Sequence, residues 1–191
     1  MNKKYLYIVI VIGIVVLGFV VFNQNREAQE SNEVVSSDYK NAVYNIDGKT
    51  IKLENGYAEE TIPQSTSKII TRYFGNDLIT DLNNDRRDDV VFLITQETGG
   101  SGTFYYVVSA INTDKGYVGS DGYLLGDRIA PQTINNSQNP QHKNVIVVNY
   151  ADRQDGEPMT AQPSVGKSVY LKLDDNNSWG VVVNDFEGES R

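Results

Sequence analysis

The sequence predicts an all-β fold, an antiparallel β-sandwich or partly open barrel, preceded by one N-terminal transmembrane helix. Three observations carry that expectation. Short runs rich in β-branched and aromatic residues recur along the chain, separated by Gly, Asn, Asp and Pro. No amphipathic helical period occurs beyond residue 38. Before it, the run YLYIVIVIGIVVLGFVVF at 5–22 holds no charge, and as a helix it is about 27 Å long, enough to cross a bilayer core.

The flanks of that run orient it. Lys3 and Lys4 lie on the short side, and beyond the span Arg26 is the only basic residue before Lys40. Positive-inside reasoning keeps residues 1–4 as a cytoplasmic tip and sends the rest outward. The run is longer than the apolar part of a signal peptide, and NQNREAQES offers no A-x-A cleavage pattern, so an uncleaved anchor is expected. Residues 23–38 are polar and read as a flexible stalk. From 39 to 186 the composition is that of one globular domain, and 187–191 read as a tail.

Composition excludes several classes. The chain has no cysteine, which removes disulfides, thiolate metal sites, a cysteine nucleophile and a lipid-bearing N-terminal cysteine. Its 17 Lys+Arg against 25 Asp+Glu argue against nucleic acid as a partner. The contact expected from the sequence so far is the lipid bilayer, through residues 5–22.

Within the domain, AVYNI and KTIKL flank Asp47-Gly48, a hairpin signal because a type I′ turn needs positive φ at both central positions. KIITRYF, DVVFLITQ, TFYYVVSAI, YLLG, NVIVVNYA, SVYLKL and WGVVVNDF follow as expected strands. Two of them are apolar on both faces. Phe104, Tyr106 and Val108 alternate with Tyr105, Val107 and Ile111, and Val145 and Val147 alternate with Ile146, Val148 and Tyr150. Such strands need a layer on each side, and no helix is at hand to supply one.

The strongest chemical signal is DLNNDRRDD, residues 81–89. Asp81, Asn83, Asp85 and Asp89 stand at positions 1, 3, 5 and 9 of an oxygen-rich loop, with the carbonyl of Arg87 at position 7. One tight turn can aim such hard oxygens at a Ca²⁺ ion. Phe92 stands at position 12, so the bidentate glutamate of an EF-hand is missing. The loop, set between KIITRYF and VVFLI, resembles the strand–loop–strand calcium motif of FG-GAP and VCBS-type β proteins. That motif has glycine where this chain has Asn84 and Arg86. Two readings stay open: a structural Ca²⁺ site, or an acidic turn bonded to its own amides and neutralised by Arg86 and Arg87.

A wider resemblance covers residues 41–173. The strings GGSGTFYYVV, LLGDRIAPQ and VNYADR-x-x-GEPMT resemble those of bacterial envelope proteins built from an anchor or signal and one such domain. The resemblance implies a bacterial source and an extracytoplasmic domain. It brings no activity and no catalytic residues.

Catalytic patterns are weak. Gly99-Gly100-Ser101-Gly102 lacks the lysine and helix of a P-loop and the fifth-position glycine of a nucleophile elbow, and reads as a hairpin loop. His142 is the only histidine and has no triad spacing. Asp127-Arg128 and Asp152-Arg153 both close apolar strands. At one end of a sandwich they would line a ligand cleft with Tyr123, Tyr150 and Glu157; the plainer reading is that each Asp caps a turn. The sequence therefore points to a non-catalytic binding or accessory domain, with an envelope hydrolase or a structural subunit of a membrane complex as alternatives. Close pairing of Asp127, Asp152 and Glu157 in a deep cleft would favour the hydrolase.

Overall fold

The computed structural model describes residues 35–182. The expected tip, the anchor at 5–22, the stalk through residue 34 and everything from 183 on lie outside the described residues. Among the described residues no helix is long and apolar enough to cross a membrane.

A 3-10 turn (Tyr39–Asn41) opens the described chain, its first amides taken by Asp38. Twelve strands follow: β1 (Val43–Ile46), β2 (Lys49–Lys52), β3 (Tyr57–Thr61), β4 (Lys68–Thr80), β5 (Asp89–Glu97), β6 (Phe104–Thr113), β7 (Gly116–Gly119), β8 (Tyr123–Asp127), β9 (Ala130–Asn136), β10 (Val145–Asp152), β11 (Val165–Leu173) and β12 (Trp179–Val181). They form antiparallel sheets, none of them closed. One sheet runs β3-β4-β5-β6-β7 with β8 beside β7 along the same edge of β6, a second runs β12-β11-β10-β9, and β1 pairs with β2. The described residues are all-β, as the sequence predicts. The Asp47-Gly48 turn has φ of 51° and 76°, the positive values a type I′ hairpin needs.

Side-chain alternation on β5 and β6 builds two cores from one sheet. On one face Val91, Leu93, Val107 and Ile111 meet Ile134 of β9, Ile146 and Val148 of β10, and Leu171 and Leu173 of β11. On the other, Val90, Phe92, Ile94, Tyr106, Val108 and Ala110 meet Tyr44, Ile46, Ile51 and Leu53 of the β1–β2 hairpin and its end. The register makes each face coherent, since Val90 opposes Ala110, Phe92 opposes Val108 and Ile94 opposes Tyr106. At about 1.5–3 kcal/mol for each large side chain buried, these two rows account for much of the driving force.

The expectation of two strands buried on both faces holds for β6. Its partner is β5, buried from Asp89 through Gln96, and not β10. In β10 the row Ile146, Val148, Tyr150 faces the shared core; on the reverse face Val145 is buried at the strand's start and Val147 is only half-buried. That strand lies in an outer layer. Three further segments form strands that the sequence reading leaves as loops: β3, β7 and β9. Order also begins before residue 39, because Ser36 and Tyr117 exchange backbone hydrogen bonds of 3.4 and 2.7 Å.

Candidate functional site

The Asp81–Asp89 loop joins β4 to β5, the strand–loop–strand setting expected of it. Its backbone turns through left-handed geometry at Asn84 (φ 64°) and Arg86 (φ 69°), the two positions where the resembling motif carries glycine. The side chains close on the loop itself. Asp81 accepts the amides of Asp85 (3.2 Å) and Arg86 (2.9 Å), and Asn83 Oδ1 accepts the Asp85 amide at 2.9 Å. Asp85 Oδ1 accepts the Arg87 amide at 2.8 Å, and its Oδ2 takes the Arg87 guanidinium at 3.2 Å. The Arg87 guanidinium also pairs with Asp114. These contacts hold the Asp85 carboxyl below its ordinary range, the Arg87 amide being the largest cause.

Asp89 is set apart from the others. It is fully buried at the start of β5, where Oδ2 accepts the Leu82 amide at 2.9 Å and Oδ1 the Asn112 amide at 2.8 Å. Burial pushes its carboxyl up, and those two amides pull it part of the way back. It pins the loop and the end of β6 to β5. Of the predicted calcium ligands, Asp81 and Asn83 converge on the Asp85 amide, and among the described residues no three His, Cys, Asp or Glu side chains form a metal-holding group. Asp89 faces the interior amides, and Arg87 already lies on Asp85.

The second set of predicted residues comes together more closely. β8 ends at Asp127 and β10 at Asp152, in different sheets. Arg153 Nη1 reaches across to donate to the backbone oxygen of Asp127 at 3.3 Å. Asp127 is held from several sides, by the Thr103 amide at 2.8 Å and by the Arg128 guanidinium at 3.1 Å. The Arg128 amide returns a 2.8 Å bond to the Thr103 carbonyl, which fixes the end of the glycine-rich loop against this corner. Arg128 pays for that position with a left-handed φ of 49°.

Asp152 is engaged as well. Oδ1 accepts the Arg153 amide at 2.8 Å and Oδ2 accepts Lys167 Nζ at 2.8 Å. The Lys167 bond is the main reason its carboxyl lies below the usual range, and the Lys167 ammonium is raised in return. Glu157 accepts the Gln154 amide at 2.8 Å. Tyr150 and Tyr123 pack against the core, and burial raises the Tyr150 hydroxyl. Lys167 escaped the sequence reading, because only the β10–β11 register places it opposite Tyr150 and within reach of Asp152.

Arg153 is different. Its residue is only 9 % exposed, and Nε is buried with no hydrogen-bond partner. No carboxylate forms an ion pair with it among the described residues. A charged group so placed is the kind of exception that interiors rarely tolerate.

The other motifs take local roles. The Gly99–Gly102 stretch lies in the turn between β5 and β6, as expected. His142 Nδ1 and Ser137 Oγ are 2.7 Å apart in the loop after β9, and Asn139, not an acid, lies 3.4 Å from Nε2. Among the described residues no carboxylate is hydrogen-bonded to that ring, the third place that a Ser-His-Asp arrangement needs filled. A cleft of about 430 Å³ opens between the tip of the 81–89 loop and the β11–β12 turn, lined by Asn83, Lys143, Asp174 and Asn177 among others. It contains none of Asp127, Asp152 and Glu157. Compared with protein-family models, curated proteins and solved structures, the chain finds no match.

Proposed function

We propose that this chain is a membrane-anchored, extracytoplasmic binding or accessory module of a bacterial envelope, whose described residues form a layered β-sandwich and bind through one corner. The observation that carries the reading is the meeting of Asp127-Arg128 and Asp152-Arg153 from two sheets, joined by the Arg153–Asp127 hydrogen bond. Two rigid strand ends fix the polar groups, as recognition requires. The run at 5–22 supports attachment to the bilayer with the domain outside. Cell-wall glycan or an envelope protein is the class of ligand.

Chemistry at the corner favours binding over hydrolysis. Hydrolysis by paired carboxylates needs one acid kept protonated beside another kept ionised. Here Asp127, Asp152 and Glu157 each have a separate partner, and Lys167 favours the ionised form of Asp152. The Asp81–Asp89 loop enters as scaffold, closed by its own amides and by Arg87, and the reading requires no Ca²⁺.

The test uses the full chain in lipid nanodiscs, incubated with a washed envelope fraction. Retention of envelope material is expected, with loss in Arg128→Ala and Tyr150→Ala. Retention unchanged by both substitutions would move the site elsewhere. Turnover in a glycosidase and peptidase screen, without retention, would replace the reading with the hydrolase.

A further inference from the structure

We propose that Arg153 is the anchor of a carboxylate-binding site, and that the module recognises its ligand through a carboxylate group. The inference rests on the binding reading above and names the chemistry of that same corner.

A guanidinium keeps its proton under all ordinary conditions, so Arg153 cannot escape burial by becoming neutral. Buried charges are normally paired, since desolvation costs several kcal/mol for each ion. Each nearby acid has a closer partner than the Arg153 guanidinium, which acts on Asp152 only from a distance. Asp127 pairs with Arg128, Asp152 pairs with Lys167, and Glu157 holds the Gln154 amide. Arg153 keeps one 3.3 Å bond to a backbone carbonyl and leaves Nε without a partner. Arg153 is therefore the cation of this corner that forms no ion pair among the described residues, and its Nε stands as an unused donor.

The donor geometry selects the ligand class. A planar guanidinium fork matches a planar carboxylate with two parallel hydrogen bonds. The neighbouring cations Arg128 and Lys167 are each paired with an acid of their own, which leaves the Arg153 guanidinium for a ligand. A single carboxylate meets one guanidinium, and phosphate is the competing anion because a guanidinium takes it in the same bidentate way. The carboxylate could belong to a peptide or to a sugar acid, and the chemistry at Arg153 is the same for both.

The experiment follows the arginine Nε–Hε resonances of the full chain in detergent micelles. N-acetylalanine, glucuronate, inorganic phosphate and the neutral N-acetylalaninamide are titrated in separate arms. The expected result is a saturable shift of one resonance with N-acetylalanine, glucuronate or both. That resonance is absent from Arg153→Lys, whose calorimetric affinity for the same probe is weaker by about tenfold or more. A response to one carboxylate alone names its source. Silence with both carboxylates, a stronger response to phosphate, or an equal response to the amide would overturn the proposal. Envelope retention that persists after such a failure leaves the binding reading standing without its carboxylate; loss of both removes both.

Discussion

Arg153 Nη1 and the backbone oxygen of Asp127 meet across 3.3 Å, tying the residue after β10 to the last residue of β8. At that contact the strand ends of two sheets meet at one corner. The acids there are satisfied one by one, by Arg128, by Lys167 and by backbone amides. The result is a polar corner in which Arg153 Nε is left without a partner.

The Asp152–Lys167 pair gives this corner a pH dependence. The folded Asp152 pKa lies below its unfolded value, chiefly through Lys167. Its contribution is complete above the ordinary carboxylate pKa of about 4 and is lost as pH falls through the lowered value. Lys167 is raised, so its share is complete below about 10.4 and is lost as pH rises through the folded value. Lys167→Met should therefore flatten the acid limb of the stability curve, measured by urea unfolding from neutral pH downward. An acid limb as steep as that of the wild type would show that the pair contributes nothing.

Asp89 should be among the most sensitive positions in the chain. Asp89→Ala leaves the buried Leu82 and Asn112 amides without acceptors, at about 1–3 kcal/mol each. Asp89→Asn should not rescue it, because the new NH₂ group faces one of those donors. A loss of about 2 kcal/mol or more is expected even there. Asp89→Asn at wild-type stability in denaturant titration would contradict the clamp.

The 81–89 loop should behave as a turn closed without a cation. Ca²⁺ and chelator are expected to leave the melting temperature unchanged, and a rise with Ca²⁺ that Asp85→Ala abolishes would restore the metal reading. Arg86 adopts φ 69°, which costs a side-chain-bearing residue roughly 1–2 kcal/mol. Arg86→Gly should then stabilise by about 0.5–1 kcal/mol, after the larger entropy that glycine loses on folding. Destabilisation on that change would mean that the Arg86 side chain supports the loop.

The β1–β2 hairpin covers one face of the six-stranded sheet only because the backbones come close. A Cβ on Gly119 would lie 2.0 Å from the Val43 carbonyl oxygen. Gly119→Ala should cost about 1–3 kcal/mol or more, as overpacking does. The same substitution at Gly166 meets nothing within 4 Å and serves as the control. Equal melting temperatures for the two variants would place the hairpin wrongly.

Much of the strand content was legible, because β-branched and aromatic runs between turn residues are local signals. Asp47-Gly48 marked its hairpin for the same reason. β3, β7 and β9 were not legible, since YAEET, GYVG and APQTINN carry too little apolar pattern and become strands only by pairing with neighbours. The sequence placed the Asp81–Asp89 loop between strands, and the structure does too. It could not reveal that Asp89 turns inward, because the Leu82 and Asn112 amides that draw it there depend on tertiary register. Asp127-Arg128 and Asp152-Arg153 stood out as repeated strand endings. Which arginine lacks an acid depends on Lys167, and β10–β11 pairing alone brings Lys167 into reach.

The most direct measurement concerns Arg153 and the fold. If its buried charge serves a ligand, replacing it with an apolar chain of similar length removes a desolvation cost and breaks only one long hydrogen bond. Thermal melting of Arg153→Met beside the wild type should give a midpoint equal to or above that of the wild type, together with loss of envelope retention. A midpoint several degrees lower would show that Arg153 holds the corner together, and would contradict its assignment to a ligand.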